Sequence, residues 1–176
     1  PRELVARIQA LLRRRAPHMP LILEENFTGS LVPMLRDGEI DAALIALPFT
    51  VTGVKTRTLY EEPFSVVVPE GHAWAKKKRV RPDELSGESL LVLNAGHCFR
   101  EQVLEACPGQ ANTASPEGRS GSSLETIRNM VASGLGVSVL PDTALQPRYA
   151  NRLVKVIPFT EPVPSRKVAI AWRTLW

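Results

Sequence analysis

The strongest constraint on the fold is a series of short runs of consecutive apolar residues. Residues 40–47, IDAALIAL, and residues 63–69, PFSVVVP, carry hardly any polar side chains. A strand with one face in water alternates apolar and polar residues, whereas a continuous apolar run is typical of a strand buried on both faces. Such strands need helices on both sides of their sheet. The sequence therefore predicts an α/β fold with a mainly parallel sheet.

Segments with helical spacing alternate with these runs. Leu4, Ile8, Leu11 and Leu12 share one face of a predicted helix over residues 2–15, with charged residues opposite. The remaining elements are predicted as helices over 30–36, 98–107 and 124–133, strands over 21–25, 89–93, 137–141, 152–158 and 167–172, and a Pro-, Gly- and Ser-rich loop over 108–122.

Three predicted helix ends have recognisable residues. Asp37–Gly38 is expected to close the helix over 30–36, because glycine adopts the left-handed conformation that ends helices. Ser122 with Glu125 fits a capping box at the start of the helix over 124–133, and Gly134 fits its stop.

The order of these elements predicts two Rossmann-like lobes. The chain is expected to cross between them near residues 67–69 and to return near residues 159–164. Lobe one then comprises residues 1–68 with 162–176, and lobe two comprises residues 69–161. Ligands of open α/β sheets bind beyond the carboxyl ends of the strands, so the cleft between the lobes is the predicted site.

The composition excludes few classes of function. Lys and Arg number 22 against 18 Asp and Glu, a net charge of +4 that does not by itself indicate a nucleic-acid partner. The basic run KKKR at 76–79 has only Trp74 as an aromatic neighbour and is predicted to be a solvated surface turn. No apolar run approaches the ~20 residues of a membrane span, and no signal peptide opens the chain, so we expect a cytoplasmic protein.

Both cysteines lie in one short segment, GHCFREQVLEAC, residues 96–107. Gly96 marks a turn, so Cys98 should lie in the first turn of a helix, where unpaired N–H groups and the helix dipole favour an anion. His97 and Arg100 are predicted to add cationic or donor neighbours. Because such surroundings stabilise the thiolate, which is the reactive form, Cys98 is predicted to be the better nucleophile of the two cysteines.

The spacing of the two cysteines limits how they can pair. If residues 98–107 form one helix, nine steps of about 1.5 Å place the two Cα atoms roughly 13 Å apart. A disulfide needs these atoms within about 7 Å. A bond between Cys98 and Cys107 would therefore require the helix to refold, as a switch would.

Other interpretations of the cysteines stay open on these residues alone. Two passive, buried thiols are the simplest. A zinc site is not indicated, because the spacing differs from C-x-x-C and His97 beside Cys98 is not the usual ligand spacing. A cysteine hydrolase would need His18, His72 or His97 as its base, and no nucleophile-elbow motif supports it.

The segment GHCFREQVLEAC resembles the redox segment of the peroxide-sensing LysR-type transcriptional regulators, in which G-H-C-x-R-[DE]-Q is followed by a second cysteine nine positions after the first. The rest of the chain is similar to the regulatory domain of the same family. The stretches that carry this similarity are LRDGEIDAALIALP, YEEPFSVVVPEGHAWA, LSGESLLVLNAGHC and SLETIRNMVASGLGVSVLP.

The resemblance implies a two-lobed effector domain like the periplasmic binding proteins. Cys98 would be the peroxidatic cysteine and Cys107 the resolving one. The peroxide pocket would comprise Thr28, His97 and backbone groups near Gly96, and a further pocket residue near the last strand, which supports the thiolate, would be Arg166 in VPSRKVAIAW.

The same resemblance implies a hydrogen-peroxide sensor of a transcription activator that is not an enzyme and uses no metal or cofactor. Its implied partners are a second copy of the chain, in a dimer through lobe one and a tetramer at full length, together with promoter DNA and RNA polymerase. The family's N-terminal helix-turn-helix, first regulatory strand and C-terminal helix have no counterpart in this sequence, so we expect the regulatory part of a longer protein.

Two other functions are compatible with these residues. The first is a LysR-type sensor of a small organic anion, bound by polar residues such as Thr28, Ser30 and Ser122, with incidental thiols. The second is a thiol peroxidase, which would turn over many peroxide molecules with a reductant, whereas a sensor reacts once and changes shape.

Overall fold

The computed structural model describes residues 2–107 and 119–174. In chain order, the helices and strands of this part are α1 (Arg2–Arg15), α2 (Thr28–Asp37), β1 (Ala42–Ala46), β2 (Val54–Pro69), β3 (Leu90–Leu93), α3 (Cys98–Ala106), β4 (Ser120–Gly121), α4 (Leu124–Ala132), β5 (Val137–Pro141), β6 (Val154–Pro158) and β7 (Ser165–Arg173). Short 3₁₀ helices lie at Ala73–Lys76, Pro82–Gly87, Asp142–Leu145 and Pro147–Tyr149.

Strand β2 belongs to two sheets. Its first part, up to Pro63, pairs with β7, whose other edge pairs with β1. From Phe64 onward β2 pairs with β5 on one side, and from Ser65 with β6 on the other. The chain thus changes sheets at Pro63–Phe64, inside the continuous strand β2. This point lies before residues 67–69, where the sequence predicts the crossing. The return lies between β6 and β7, and the domain limits themselves stay a prediction.

The predicted α/β class is confirmed, but the mainly parallel sheet is wrong. Among the described strands, only β3 pairs in parallel, with β4 and β5. The pairings of β2 with β5, β6 and β7, and of β1 with β7, are antiparallel. A continuous apolar run indicates burial and carries no information about the direction of the neighbouring strands.

Two hydrophobic clusters form the core. The larger one packs α3 and α4 on β2, β3 and β5, and includes Phe64, Phe99, Val103, Cys107 and Ile127. The smaller one packs α2 on β1 and β7. Strands β3 and β5 are buried along their whole length, as their apolar runs predict. The prediction that strand β1 is buried on both faces is wrong, because only alternate residues are buried, on the face that packs with α2.

Several predicted elements differ from the structure. Residues 21–25 form neither strand nor helix, and Ile22 is 82% exposed. An extended segment becomes a strand only when another strand accepts its hydrogen bonds, and none of the described strands does. Conversely, the charged stretch before Pro63 is strand, because β7 pairs with it. Of the predicted loop, residues 108–118 lie outside the described residues and Ser120–Gly121 form β4.

The predicted helix ends are largely confirmed. Gly38 closes α2 with φ of 79°, which glycine adopts without strain. Gly134 follows α4 with a φ of 78°. The cap of α4 is one residue later than predicted, since the side chain of Ser123 accepts the hydrogen bond from Thr126 N. Across the described part of the chain, helices are too short or too polar for a membrane span.

Candidate functional site

Cys98 is the first residue of α3 and its thiol is free and exposed. Gly96 makes the preceding turn with φ of 94°, which favours glycine. His97 is the N-cap residue, but its side chain makes no capping hydrogen bond. The backbone N–H of Arg100 donates to the carbonyl oxygen of His97 at 3.0 Å. The N–H groups of Cys98 and Phe99, which precede it in the first turn, remain available to an anionic group at Cys98.

The start of a second helix lies beside this thiol. Phe27, the residue before α2, packs edge-to-face on the ring of His97, with ring centroids 5.0 Å apart. Its ring is also the nearest neighbour of Gly96, 3.8 Å from the position of an added Cβ. This contact brings Thr28, the first residue of α2, to the same end of the molecule as Cys98. No hydrogen bond between described residues joins Thr28 to Cys98.

The sequence predicts Arg100 as a donor neighbour of Cys98, and the structure shows where two of its nitrogens lie. Its Nη1 donates to the carbonyl oxygen of Leu93 at 2.9 Å, and its Nε lies 3.8 Å from the exposed carboxylate of Glu101. Its hydrogen bond attaches the first turn of α3 to the end of β3.

Arg166 lies next to the residue that follows Cys98 rather than on the thiol. Its guanidinium carbon is 5.1 Å from the ring centroid of Phe99. Its Nε and Nη2 both lie 2.6 Å from Oε2 of Glu62. Sequence reasoning missed Glu62 and Phe99. The available signal was a carboxylate next to a continuous apolar run, in EEPFSVVVP, because a charge in a buried strand needs a partner.

Cys107 caps the other end of α3 and is completely buried in the larger core. Burial raises the pKa of this thiol from 9.0 to about 12, because an apolar environment disfavours the thiolate. Cys107 is therefore neutral throughout the physiological range. Its environment is the opposite of that of Cys98, although both residues belong to one helical segment.

The predicted helix between the two cysteines is confirmed. Residues Cys98–Ala106 form α3 and both thiols are unbonded. With a rise of about 1.5 Å per residue, the two Cα atoms lie roughly 13 Å apart, beyond the reach of a disulfide. Within residues 2–107 and 119–174, no three His, Cys, Asp or Glu side chains gather as metal ligands.

Two α/β lobes that share a long strand, with polar and reactive groups gathered where helices begin, are typical of a two-lobed regulatory or binding domain. The LysR substrate binding domain family matches residues 1–175, and the chain belongs to this family.

Within the family, the chain is similar to OxyR proteins. The "Hydrogen peroxide-inducible genes activator" of Dickeya chrysanthemi is 34% identical over 170 residues, which are 97% of this chain and 55% of that protein. The reduced form of the OxyR regulatory domain from Pseudomonas aeruginosa is 50% identical, with a TM-score of 0.85 over 98% of this chain and 84% of that one.

A more distant relative has a bound ligand. The H₂O₂-bound C206S mutant of Corynebacterium glutamicum OxyR is 27% identical, with a TM-score of 0.86 over 96% of this chain and 54% of that one. The chain thus spans about half the length of the full-length relatives that it matches.

Proposed function

We propose that this chain is the hydrogen-peroxide-sensing regulatory domain of a DNA-binding transcription regulator, switched by a reversible Cys98–Cys107 disulfide. The observation that carries the proposal is the contrast along α3. An exposed thiol occupies its start, and a buried, neutral thiol caps its end. The Cys98 thiol can react with a small oxidant from solvent, whereas the Cys107 thiol becomes accessible only when the helix unwinds.

The chemistry has two steps. The Cys98 thiolate attacks one oxygen of hydrogen peroxide, the O–O bond breaks, and the leaving hydroxide takes a proton to become water, so the sulfur is oxidised to a sulfenic acid. The Cys107 sulfur then attacks the Cys98 sulfur. The S–O bond breaks, and the thiol proton and the hydroxyl group leave together as a second water.

The residues around Cys98 support the binding of peroxide. Two helix starts meet there through the Phe27–His97 contact, and both present N–H groups, which suit the oxygen that becomes negative as the O–O bond breaks. Thr28, His97 and the backbone at Gly96 would hold the peroxide. Arg166, placed on Phe99, would favour the thiolate.

The second step must wait for α3 to unwind. Cys107 is completely buried, and the intact helix separates it from Cys98 by roughly 13 Å. Disulfide formation would therefore remove Phe99 and Val103 from the larger core and change the surface of lobe two. Such a change can be passed to a second copy of the chain, and through it to DNA-binding domains and RNA polymerase in the cytoplasm.

The relatives agree with this proposal. The Dickeya protein is named as a peroxide-inducible gene activator, and the Corynebacterium structure is described as bound to H₂O₂. Gene activation, dimer and tetramer formation and promoter binding belong to whole proteins of that kind. For this chain they are part of the proposal.

Dimedone labelling with mass spectrometry tests the assignment of the two cysteines. Peroxide-treated Cys107→Ser should carry dimedone on Cys98, because the sulfenic acid persists without a resolving thiol. Cys98→Ser should show neither a sulfenic acid nor a disulfide. Label on Cys107 in the Cys98→Ser variant would reverse the two roles.

Two further outcomes would favour the rival functions. Consumption of many peroxide equivalents per molecule with a thiol reductant would indicate a thiol peroxidase. Tight calorimetric binding of a small organic anion, together with an unaltered response of the Cys98→Ser variant to it, would indicate a metabolite sensor with incidental thiols.

A further inference from the structure

Glu62 is a buried carboxylate that the proposed chemistry does not use. The residue is 2% exposed, and both of its oxygens accept hydrogen bonds. Oε2 accepts from Nε of Arg166 at 2.6 Å and forms an ion pair with Nη2 of the same residue, also at 2.6 Å. Oε1 accepts from the backbone N of Thr143 at 3.1 Å and from the hydroxyl of the same residue. A buried carboxylate needs such bonds to offset its desolvation, and here they restrict it to one orientation.

These bonds connect three segments of the chain. Glu62 and Arg166 face each other in the register of β2 and β7, one residue before β2 changes sheets. Thr143 lies in the turn Asp142–Leu145, which follows β5. Glu62 therefore ties the strands of one sheet to a turn of the other at the junction of the two lobes.

The same arginine extends this connection to α3. The guanidinium of Arg166 lies on Phe99 at 5.1 Å, and Phe99 packs edge-to-face on Phe64 at 5.2 Å. Phe99 follows Cys98 directly in the first turn of α3. Glu62 binds Nε and Nη2 of Arg166, and Nη1 makes no hydrogen bond within the described residues. Glu62 thus sets the position of a cation that keeps one donor beside the start of α3.

We infer that Glu62 is a positioning residue for Cys98. It holds Arg166 against Phe99 and so fixes both the cation and the first helical turn that support the thiolate. The inference deepens the proposed function, on which it rests for the identity of the oxidant. Loss of the Glu62 charge alone would favour the thiolate, but the long-range effect of a charge on an exposed thiol is strongly screened, whereas the orientation of a neighbouring donor and of the helix start acts at short range. The loss of anchoring should therefore dominate.

The test compares Glu62→Gln with Glu61→Gln, a matched control that removes the same charge from the next residue, which is exposed on the other face of β2. The measured quantities are the rate of Cys98 alkylation by iodoacetamide, assigned by peptide mass spectrometry, and the ultraviolet absorbance of the thiolate. Glu62→Gln should slow alkylation about tenfold, the size expected for one charge-assisted hydrogen bond, and should lower the thiolate absorbance. Glu61→Gln should change neither.

A double-mutant cycle separates an effect through Arg166 from a direct one. In the Arg166→Met background, Glu62→Gln should have no further effect on the alkylation rate, because its target is gone. Additive effects would overturn the inference. A lower free energy of unfolding with an unchanged alkylation rate would also overturn it, because Glu62 would then have a purely structural role. A faster alkylation rate would overturn it too, because the Glu62 charge would then act mainly by disfavouring the thiolate.

A milder variant keeps the test informative if Glu62→Gln or Arg166→Met does not fold. Thr143→Val keeps the branched shape and removes only the hydroxyl bond to Glu62. It should slow alkylation about threefold, as expected for one neutral hydrogen bond. An unchanged rate in folded Thr143→Val would count against the network.

The peroxide rate of the wild-type chain is the separate test of the proposed function. If wild-type Cys98 reacts with hydrogen peroxide no faster than free cysteine, peroxide sensing fails. The effect of Glu62→Gln on alkylation would still establish positioning. If peroxide oxidation is fast but both glutamate variants are alkylated at the wild-type rate, the inference about Glu62 fails and the proposed function stands.

Discussion

The two ends of α3 carry the same functional group in opposite environments. Cys98 is exposed at a helix start that no side chain caps, with His97, Phe27 and the Arg166–Phe99 pair around it. Cys107 is completely buried, and its pKa is raised to about 12 by burial. The comparison teaches that position along one helix, rather than residue type, decides how exposed each thiol is and how readily Cys107 ionises.

Joining the two ends requires α3 to give up its packing. A disulfide that closes a loop of about ten residues constrains the unfolded chain by roughly 2.5–3 kcal/mol in the entropic model. Against this gain, each fully buried side chain that leaves the core, such as Phe99 or Val103, costs about 1.5–3 kcal/mol. The two terms are comparable, so the bond should be readily reduced.

The largest expected effect is on thiol reactivity. In the folded domain, iodoacetamide should alkylate Cys107 at least about a thousandfold more slowly than in the urea-unfolded chain, because a pKa raised from 9.0 to about 12 depletes the thiolate by that factor. Cys98 should be the residue labelled first. Unfolding should bring the two rates within a few-fold of each other. Equal rates in the folded domain would remove the contrast between the two ends.

The next effect is on the order of α3. In the oxidised domain, the amides of residues 98–107 should exchange hydrogen at least about tenfold faster than in the reduced domain, since about two turns of hydrogen-bonded helix are lost. The oxidised domain should also melt no higher than the reduced one. A clear rise in melting temperature on oxidation would mean that the disulfide stabilises the native fold and does not act as a switch.

A third effect is on stability at alkaline pH. The folded-state pKa of Cys107 is above its unfolded value, so between about pH 9 and 12 the unfolded chain has lost the thiol proton that the folded domain still holds. The free energy of unfolding should therefore fall as the pH rises through this range, by up to about 1.4 kcal/mol per pH unit from this group.

Cys107→Ala is the variant that isolates this contribution. It should be less sensitive to alkaline pH than the wild type in urea titrations across that range. Tyr60 remains as a background in both proteins, because its pKa is raised chiefly by burial and then by Glu62. Parallel pH dependences of the two proteins would show that Cys107 ionises as easily in the fold as outside it.

The smallest expected effect comes from the middle of α3. Oε1 of Gln102 is buried and has no hydrogen-bond partner among the described residues, which penalises the helical state. Gln102→Met should raise the free energy of unfolding of the reduced domain by about 1 kcal/mol and slow disulfide formation, because it removes this penalty. Sulfenic acid formation at Cys98 should not change.

Glu105→Gln is the control for this substitution, since residue 105 is exposed on the same helix. It should leave both the stability and the rate of disulfide formation close to those of the wild type. If Gln102→Met instead destabilises the reduced domain, the Gln102 amide is hydrogen-bonded in solution and does not destabilise α3.

Local sequence by itself determined the elements around the candidate site. The turn at Gly96 and the helical spacing of CFREQVLEA place Cys98 at a helix start, and Gly38 and Gly134 end their helices, because these features depend on torsion angles and neighbouring hydrogen bonds. The apolar runs at 90–93 and 137–141 identify segments that must be covered, and both are buried strands, but the runs do not say which elements cover them.

Tertiary structure alone decided which elements meet. The direction of the strands, the exposure of residues 21–25 and the contact between Phe27 and His97 depend on segments far apart in the chain. Glu62 and Arg166 are 104 residues apart and become a pair only because β2 and β7 share a register. Local spacing specifies backbone conformation, whereas burial and pairing depend on which distant surface covers a residue, and no short stretch of sequence contains that information.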